Sequence, residues 1–282
     1  DIYVPEDYDV ASSGEILRED AGNGFDRVRV ELKNACGFGV VVSRKFHVRE
    51  GQAASGVKVR AFGQSRGKLS AARDAAIDAL NALEPLLGSY SYDALTIVQA
   101  QSVSEMPVGG VLILSESDWA NTDTLRARVT ALTAQVFLSD VVQVNPGSEA
   151  WLIEGASEYL SLLLTEDSEG EAAFAAALDA LVRPALQVTI PSGLSVDSFT
   201  NRFATQREYE IVTRERGAAV MHELRLLMGR DAFLNGMRLY VRENRFAQAT
   251  YRSFAAALSE AFGRDVTDAL IHHLYSIDEY AQ

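Results

Sequence analysis

The spacing of apolar residues changes once along the chain, and this change limits the folds that the chain can adopt. Before about residue 121, segments such as FDRVRVELK, GVKVRAF and DALTIVQAQ alternate apolar and polar residues or form short apolar runs, as β-strands do. After it, segments such as SEAWLIEGASEYLSLLL carry apolar residues three and four positions apart, as amphipathic helices do. Strands followed by helices indicate an α+β protein. One helical segment, KLSAARDAAIDALNALEPLLG, interrupts the strands, and Ser70 is a suitable N-cap for it.

Composition excludes several classes of function. The 282 residues carry a formal net charge of -13, which argues against nucleic-acid binding because that requires clustered Lys and Arg. Cys36 is the only cysteine, so neither an intrachain disulfide nor a Cys-based zinc site can form. We expect Cys36 to be buried and to pack as a small apolar side chain. No apolar run reaches the roughly 18 residues that span a bilayer. Any membrane attachment is therefore expected from segments outside this chain.

The segment WLIEGASEYL, residues 151–160, resembles the WLNEGFAEY helix of the aminopeptidase N (membrane alanyl aminopeptidase) family, which supplies a glutamate to the zinc ion. Other stretches resemble this family in the same order. SYDALTIVQ is similar to its YPYPKLDLV strand, and residues 214–244 are similar to its helical segment that contains YxKGA. VPEDYDVASSGE and FGVVVSRKFHV resemble late strands of its N-terminal β-domain. The resemblance covers nearly the whole chain.

This resemblance implies an α+β, thermolysin-like (gluzincin) fold in which a mixed α/β lobe precedes a helical lobe, with a cleft between them. It assigns residues 51–120 to the α/β lobe and residues 121–282 to the helical lobe, both within a peptidase-type domain. Residues 1–50 are expected to be the C-terminal part of an N-terminal β-domain. We expect the chain to be a piece or a mature form of a longer protein, and the family favours an extracytoplasmic or membrane-tethered location.

The zinc site that the resemblance implies is altered in this sequence. Gluzincins take two histidines four residues apart on one helix, use the glutamate after the first as general base, and add a glutamate from the next helix. The resemblance places the last of these ligands on Glu154. Counting back from it puts the histidines on Ala131 and Gln135 and the base on Leu132. Zinc is therefore predicted to be absent, and no other cofactor is expected.

Two further positions of the family differ. Its exopeptidase loop falls on SEMPV, residues 104–108, where Pro107 replaces the glutamate that holds the substrate's amino group. Arg214 replaces the tyrosine that stabilises the transition state. Glu154 and Glu158 remain, and the latter corresponds to a carboxylate that orients a zinc-bound histidine. Their plainer interpretation is structural: we expect Arg214 to contact one of them, because its planar guanidinium matches carboxylates.

The histidines of this sequence do not suggest a second metal site. HELRL begins at His222 like HExxH, but Leu226 stands where the second ligand is required. His272 and His273 are adjacent, and on a helix they diverge by about 100°, so they cannot chelate one ion together.

The favoured interpretation is a catalytically inactive zinc-aminopeptidase homologue, a pseudoenzyme with a binding or structural role in a larger protein. A peptide or protein segment in the residual cleft would be its partner. The first alternative is an active metallo-aminopeptidase that hydrolyses N-terminal peptide bonds with a non-standard metal site. The second is a structural extracytoplasmic module flanked by membrane segments.

Overall fold

Strands dominate the first part of the chain and helices the second in the computed structural model, which describes residues 1–101, 105–189, 194–198 and 200–276. The chain divides into two compact units. The first unit contains residues 1–85 and 89–140, and the second contains residues 86–88 and 141–282. The α+β class is confirmed. The domain boundaries predicted after residues 50 and 120, and the cleft, stay predictions.

Strands and two helices make up the first unit. The strands are β1 (Ile2–Pro5), β2 (Asp9–Ser12), β3 (Glu15–Gly22), β4 (Phe25–Glu31), β5 (Val40–Ser43), β6 (His47–Gln52), β7 (Lys58–Gly63), β8 (Ala94–Gln99), β9 (Met106–Val108) and β10 (Val111–Leu114). The helices are α1 (Arg66–Leu87), whose last residues belong to the second unit, and α2 (Thr122–Ser139).

A mixed five-stranded sheet forms the centre of the first unit, in the order β6-β7-β8-β10-β9. β7 and β8 are parallel, so the chain must cross over between them, and α1 makes this crossover. One buried cluster, Phe46, Phe62, Val98 and Val111 with Ala11, packs on this sheet. β1, β4 and β3 form an antiparallel sheet, and β2 pairs with β5. The alternation seen in FDRVRVELK places Val28 in the core while its neighbours stay outside.

Helices dominate the second unit. They are α3 (Trp151–Glu169), α4 (Glu171–Gln187), a 3₁₀ turn (Thr200–Arg202), α5 (Gln206–Tyr209), a π-helical segment (Glu210–Glu215), α6 (Arg216–Met228), α7 (Arg230–Glu243), α8 (Tyr251–Phe262) and α9 (Thr267–Ser276). Two short strands, β11 (Gln143–Val144) and β12 (Gln248–Ala249), pair in parallel. Within the described ranges, no helix has the length and apolar character needed to cross a membrane.

Two local predictions from sequence are wrong. Ser70 is not an N-cap, because α1 already begins at Arg66. The ammonium of Lys68 binds Ala120 O at 2.6 Å, which holds this first turn in place. Cys36 is exposed rather than buried, because it lies in the connection between β4 and β5 and not in a strand.

Candidate functional site

Three positions assigned to zinc chemistry lie in the second half of α2, in the first unit. Asn121 caps this helix by accepting hydrogen bonds from Asp123 N and Thr124 N. Ala131 and Leu132 are buried, and Gln135 is half-buried. Residues 131 and 135 are one helical turn apart, as HExxH requires. Two hydrocarbon side chains and an amide supply neither imidazole ligands nor a carboxylate base there.

Pro107 lies in β9, opposite Leu112 of β10. β9 is the last strand of the described five-stranded sheet. An edge strand tolerates proline because a backbone N–H on its outer side has no neighbouring strand to bond to. Ser104 lies outside the described residues. Glu105 accepts a hydrogen bond of 3.0 Å from Arg128 Nε of α2. The carboxylate two residues before Pro107 is therefore paired with a cation.

Glu154 and Glu158 are half-buried and lie one turn apart on α3, in the second unit. The hydroxyl of Tyr209 donates to Glu154 Oε1 at 3.5 Å. Arg214 Nε lies 4.0 Å from Glu158 Oε2. The contact predicted between Arg214 and one of the two glutamates is therefore present, at the outer limit of an ion pair. Arg214 also lies 3.6 Å from Glu210 Oε2.

The π-helical segment explains why both of these partners face α3. A π-helix closes hydrogen bonds between residues five apart, so Tyr209 and Arg214 fall on the same side. Burial, and next the charge of Glu154, raise the pKa of Tyr209 to about 12, so its hydroxyl stays protonated and can donate. Tyr209 was missed from sequence because the α-helical period separates positions 209 and 214. The available signal was a tyrosine five residues before Arg214.

Two glycines set how closely α3 approaches α6. A Cβ atom added to Gly155 would lie 2.6 Å from the carbonyl carbon of Gly217 and 2.7 Å from its Cα. Side chains at these positions would push the helices apart, because real Cβ atoms do not come that close. This contact lies directly after Glu154 on α3 and three residues after Arg214, so it holds the two segments together.

A buried carboxylate in the first unit was also missed from sequence. Asp140, directly after α2, accepts hydrogen bonds from Tyr90 Oη at 3.0 Å and from Gly110 N at 2.9 Å. Burial raises the pKa of Asp140 to about 7, although the hydrogen bonds from Tyr90 and from the backbone of Gly110 and Gly109 oppose this shift. Asp140 thus anchors the turn between β9 and β10, and local sequence carried no sign of it.

His222 is half-buried on α6, with its Nδ1 3.0 Å from the hydroxyl of Tyr159. Burial, and next the charge of Arg225, lower the pKa of His222. Across the described part of the chain, no three His, Cys, Asp or Glu side chains are grouped so that they could hold a metal ion.

The sequence profile of the peptidase family M1 domain matches residues 133–273, which is half of the chain. The chain belongs to peptidase family M1. The resemblance found in the WLIEGASEYL segment is thereby confirmed at the level of the family. No curated protein sequence matches the chain significantly.

Solved M1 structures share the fold. An M1 zinc metallopeptidase from Deinococcus radiodurans is 19% identical, with a TM-score of 0.78 over 97% of this chain and 62% of its own. A mutant of an M1 zinc metallopeptidase from this organism, bound to a Tyr-Ser-Ala substrate, is 19% identical, with a TM-score of 0.74 and the same coverages. The predicted fold is confirmed. The chain spans less than two thirds of the length of these relatives.

Proposed function

We propose that this M1 chain is catalytically inactive and that its fold serves a binding or structural role, as part of a larger protein. The observation that carries the proposal is the chemistry of three positions on α2. Ala131 and Gln135 stand where the family resemblance requires zinc-binding histidines, and Leu132 stands where it requires the general base. The hydrocarbon side chains of Ala131 and Leu132 cannot bind zinc or accept a proton from water, and the amide of Gln135 is not among the imidazole, thiolate and carboxylate ligands that zinc sites use.

The donor set does not fit zinc. A catalytic zinc site takes three protein ligands and a water. In the described ranges, His, Cys, Asp and Glu form no group of three suited to a metal. Among the three positions that the resemblance assigns to zinc ligands, Ala131, Gln135 and Glu154, only Glu154 carries a side chain that commonly binds zinc. One carboxylate does not hold a transition metal at useful affinity.

The substrate-binding positions support the same proposal. Pro107 has no charge with which to hold an amino terminus, and it lies in a strand of the sheet. Arg214 has no hydroxyl to stabilise an oxyanion, and its guanidinium lies near Glu158 and Glu210. Arg214 thus places a positive charge beside Glu158, and this charge replaces part of the positive charge that the metal ion supplies in a zinc peptidase. A peptide or protein segment is the partner that we propose for the cleft that the resemblance predicts.

Metal analysis combined with an activity assay tests this proposal. The purified chain is dialysed against a buffer that contains zinc, and loosely bound ions are then removed. It should carry far less than one zinc ion per chain. It should not hydrolyse a panel of aminoacyl fluorogenic substrates, with the Deinococcus radiodurans M1 zinc metallopeptidase assayed beside it as positive control. Stoichiometric zinc together with hydrolysis that a chelator abolishes would instead establish the alternative, an active enzyme with a non-standard metal site.

A further inference from the structure

Two asparagines of the chain precede a glycine, and their surroundings differ. Asn23–Gly24 connects β3 to β4, and Asn235–Gly236 lies in the middle of α7. An asparagine followed by glycine is chemically labile, because glycine has no side chain that would hinder the approach of its backbone nitrogen to the asparagine amide. Sequence alone does not distinguish the two pairs, but the structure does.

The first pair forms the tip of a hairpin. Gly22 pairs with Phe25, so Asn23 and Gly24 are the two central residues of the turn. Their φ angles of 59° and 76° are both positive, as a type I′ turn requires. All four residues are exposed, and a Cβ added to Gly24 would meet no atom beyond its chain neighbours within 4 Å. Water therefore reaches the Asn23 amide and the Gly24 nitrogen.

This tip can open without disturbing the core of the first unit. Gly24 O accepts a hydrogen bond of 3.1 Å from Glu6 N, whereas the N–H of Gly24 donates to no described residue. The buried residue of the hairpin that lies nearest to the tip is Val28 of β4. Rotation of the backbone at Asn23 brings the Gly24 nitrogen to the amide carbon. Because this rotation exposes little further apolar surface, we expect it to be frequent.

The second pair is held inside a packed helix. An α-helix bonds the N–H of residue 236 to the carbonyl of residue 232, so this nitrogen must be released before it can react. Gly236 is buried, and a Cβ added to it would lie 3.0 Å from the Cα of Leu258 on α8. Unwinding α7 at Asn235 would therefore separate two packed helices, which costs far more free energy than opening a hairpin tip.

We propose that Asn23 is a site of spontaneous deamidation and that the fold protects Asn235. The Gly24 nitrogen bonds to Asn23 Cγ and gives up its proton, and the bond from Cγ to the side-chain nitrogen breaks as ammonia leaves. Water then opens the resulting succinimide ring. Cleavage of the bond between the ring nitrogen and Cγ gives aspartate, and cleavage between this nitrogen and the backbone carbonyl carbon gives isoaspartate. Water is the co-reactant, and no atom is oxidised or reduced.

The two products differ in their effect on the hairpin. Aspartate before glycine also suits a type I′ turn, so this product keeps the hairpin. Isoaspartate carries the backbone through the former side chain and adds one carbon atom to a turn of two residues. Because the length of the turn fixes the register of a hairpin, the pairing of Gly22 with Phe25 cannot persist in this product.

Peptide mapping by mass spectrometry tests the proposal after incubation of the full chain. Trypsin releases Asn23 within residues 19–27 and Asn235 within residues 231–238, so one digest reports both sites. The folded chain and the chain in guanidinium chloride are kept in the same mildly alkaline buffer. In the denaturant the two sites should react at similar rates. In the folded chain Asn23 should react at least about tenfold faster than Asn235.

Asn23→Gly is the matched control, because Gly-Gly also suits the turn and has no amide to lose. It should abolish the modification of residues 19–27 and leave the rate at Asn235 unchanged. Equal rates at the two sites of the folded chain would refute the proposal. An unmodified Asn23 in the folded chain, after a period in which the unfolded chain has converted, would also refute it.

A second comparison tests the effect on the hairpin. Asn23→Asp, freshly purified, has the charge of both products without the added backbone atom. The isoaspartate form, separated by chromatography, should unfold at a lower denaturant concentration than this variant. Equal midpoints would contradict the proposed change of register. These results do not depend on whether the chain is catalytically active.

Discussion

Gly155 of α3 and Gly217 of α6 lie backbone against backbone, and no side chain larger than hydrogen fits at Gly155. An added Cβ would come within 3.0 Å of three backbone atoms of Gly217 and Ala218. Glu154 and Arg214 flank this contact on the two segments. The pairings of Glu154 with Tyr209 and of Glu158 with Arg214 therefore depend on a helix spacing that two glycines permit.

Gly155→Ala should destabilise the fold by about 1–3 kcal/mol, because the added methyl group overpacks a backbone contact. Urea unfolding measures the change. Gly67→Ala on α1 is the control, since its added Cβ meets no atom within 4 Å, and it should be neutral or stabilising. Equal stability of Gly155→Ala and the parent would show that α3 and α6 can separate without cost.

The ion pair of Arg214 and Glu158 should contribute about 1 kcal/mol of coupling energy, since the side chains are only 21% and 17% exposed. A double-mutant cycle with Arg214→Gln and Glu158→Gln measures it. Arg183 and Asp179 form the comparison pair, because they are closer together but 69% and 52% exposed. Their coupling should stay below about 0.5 kcal/mol. A larger value for the exposed pair would contradict the assignment of the coupling to burial.

Asp140 should make the first unit less stable as pH rises from about 4 to about 7. In this interval the folded chain keeps a proton on the carboxyl, whose pKa is about 7, while the unfolded chain has released it. Unfolding then releases a proton, so a higher pH favours it. The full effect is at most about 4 kcal/mol.

Urea unfolding between pH 4 and pH 8 tests this expectation with Asp140→Asn, which removes the titration while keeping an acceptor for Tyr90. The stability of the variant should depend less on pH than that of the parent. Asp78→Asn, the same replacement at an exposed position of α1, is the control. Identical slopes in all three proteins would mean that Asp140 is ionised throughout.

Arg216→Met should destabilise the fold by about 2–4 kcal/mol, because it removes the buried guanidinium that donates to the carbonyl groups at the end of α4. Arg216 is 4% exposed and donates to Ala185 O and Val188 O. Arg238 is the control: it is exposed and donates to Leu86 O, and Arg238→Met should cost less than about 1 kcal/mol. Thermal and urea unfolding of both variants compare the two arginines, and equal losses would contradict a special role for the buried one.

The order of strands and helices, and the residue types at the positions that the resemblance assigns to zinc, could be predicted from sequence because both are local properties. The period of apolar residues reports which face of each segment is buried, as it did for Val28 in β4. Residue identity alone shows that Ala131, Leu132 and Gln135 cannot perform zinc chemistry. The family resemblance placed Arg214 opposite Glu154 and Glu158, and the planar guanidinium group suggested that it would contact one of them.

Tertiary structure decided which side chains meet, because this depends on packing between segments distant in the sequence. The π-helical segment turns Tyr209 toward Glu154, although an α-helical period would separate it from Arg214. The spacing of Gly155 and Gly217 exists only once α3 packs on α6. Leu178, Val182 and Leu186 of α4 have helical periodicity, yet they line an open groove instead of a core. Periodicity identifies an apolar face, but only the packed neighbours determine whether another helix covers it.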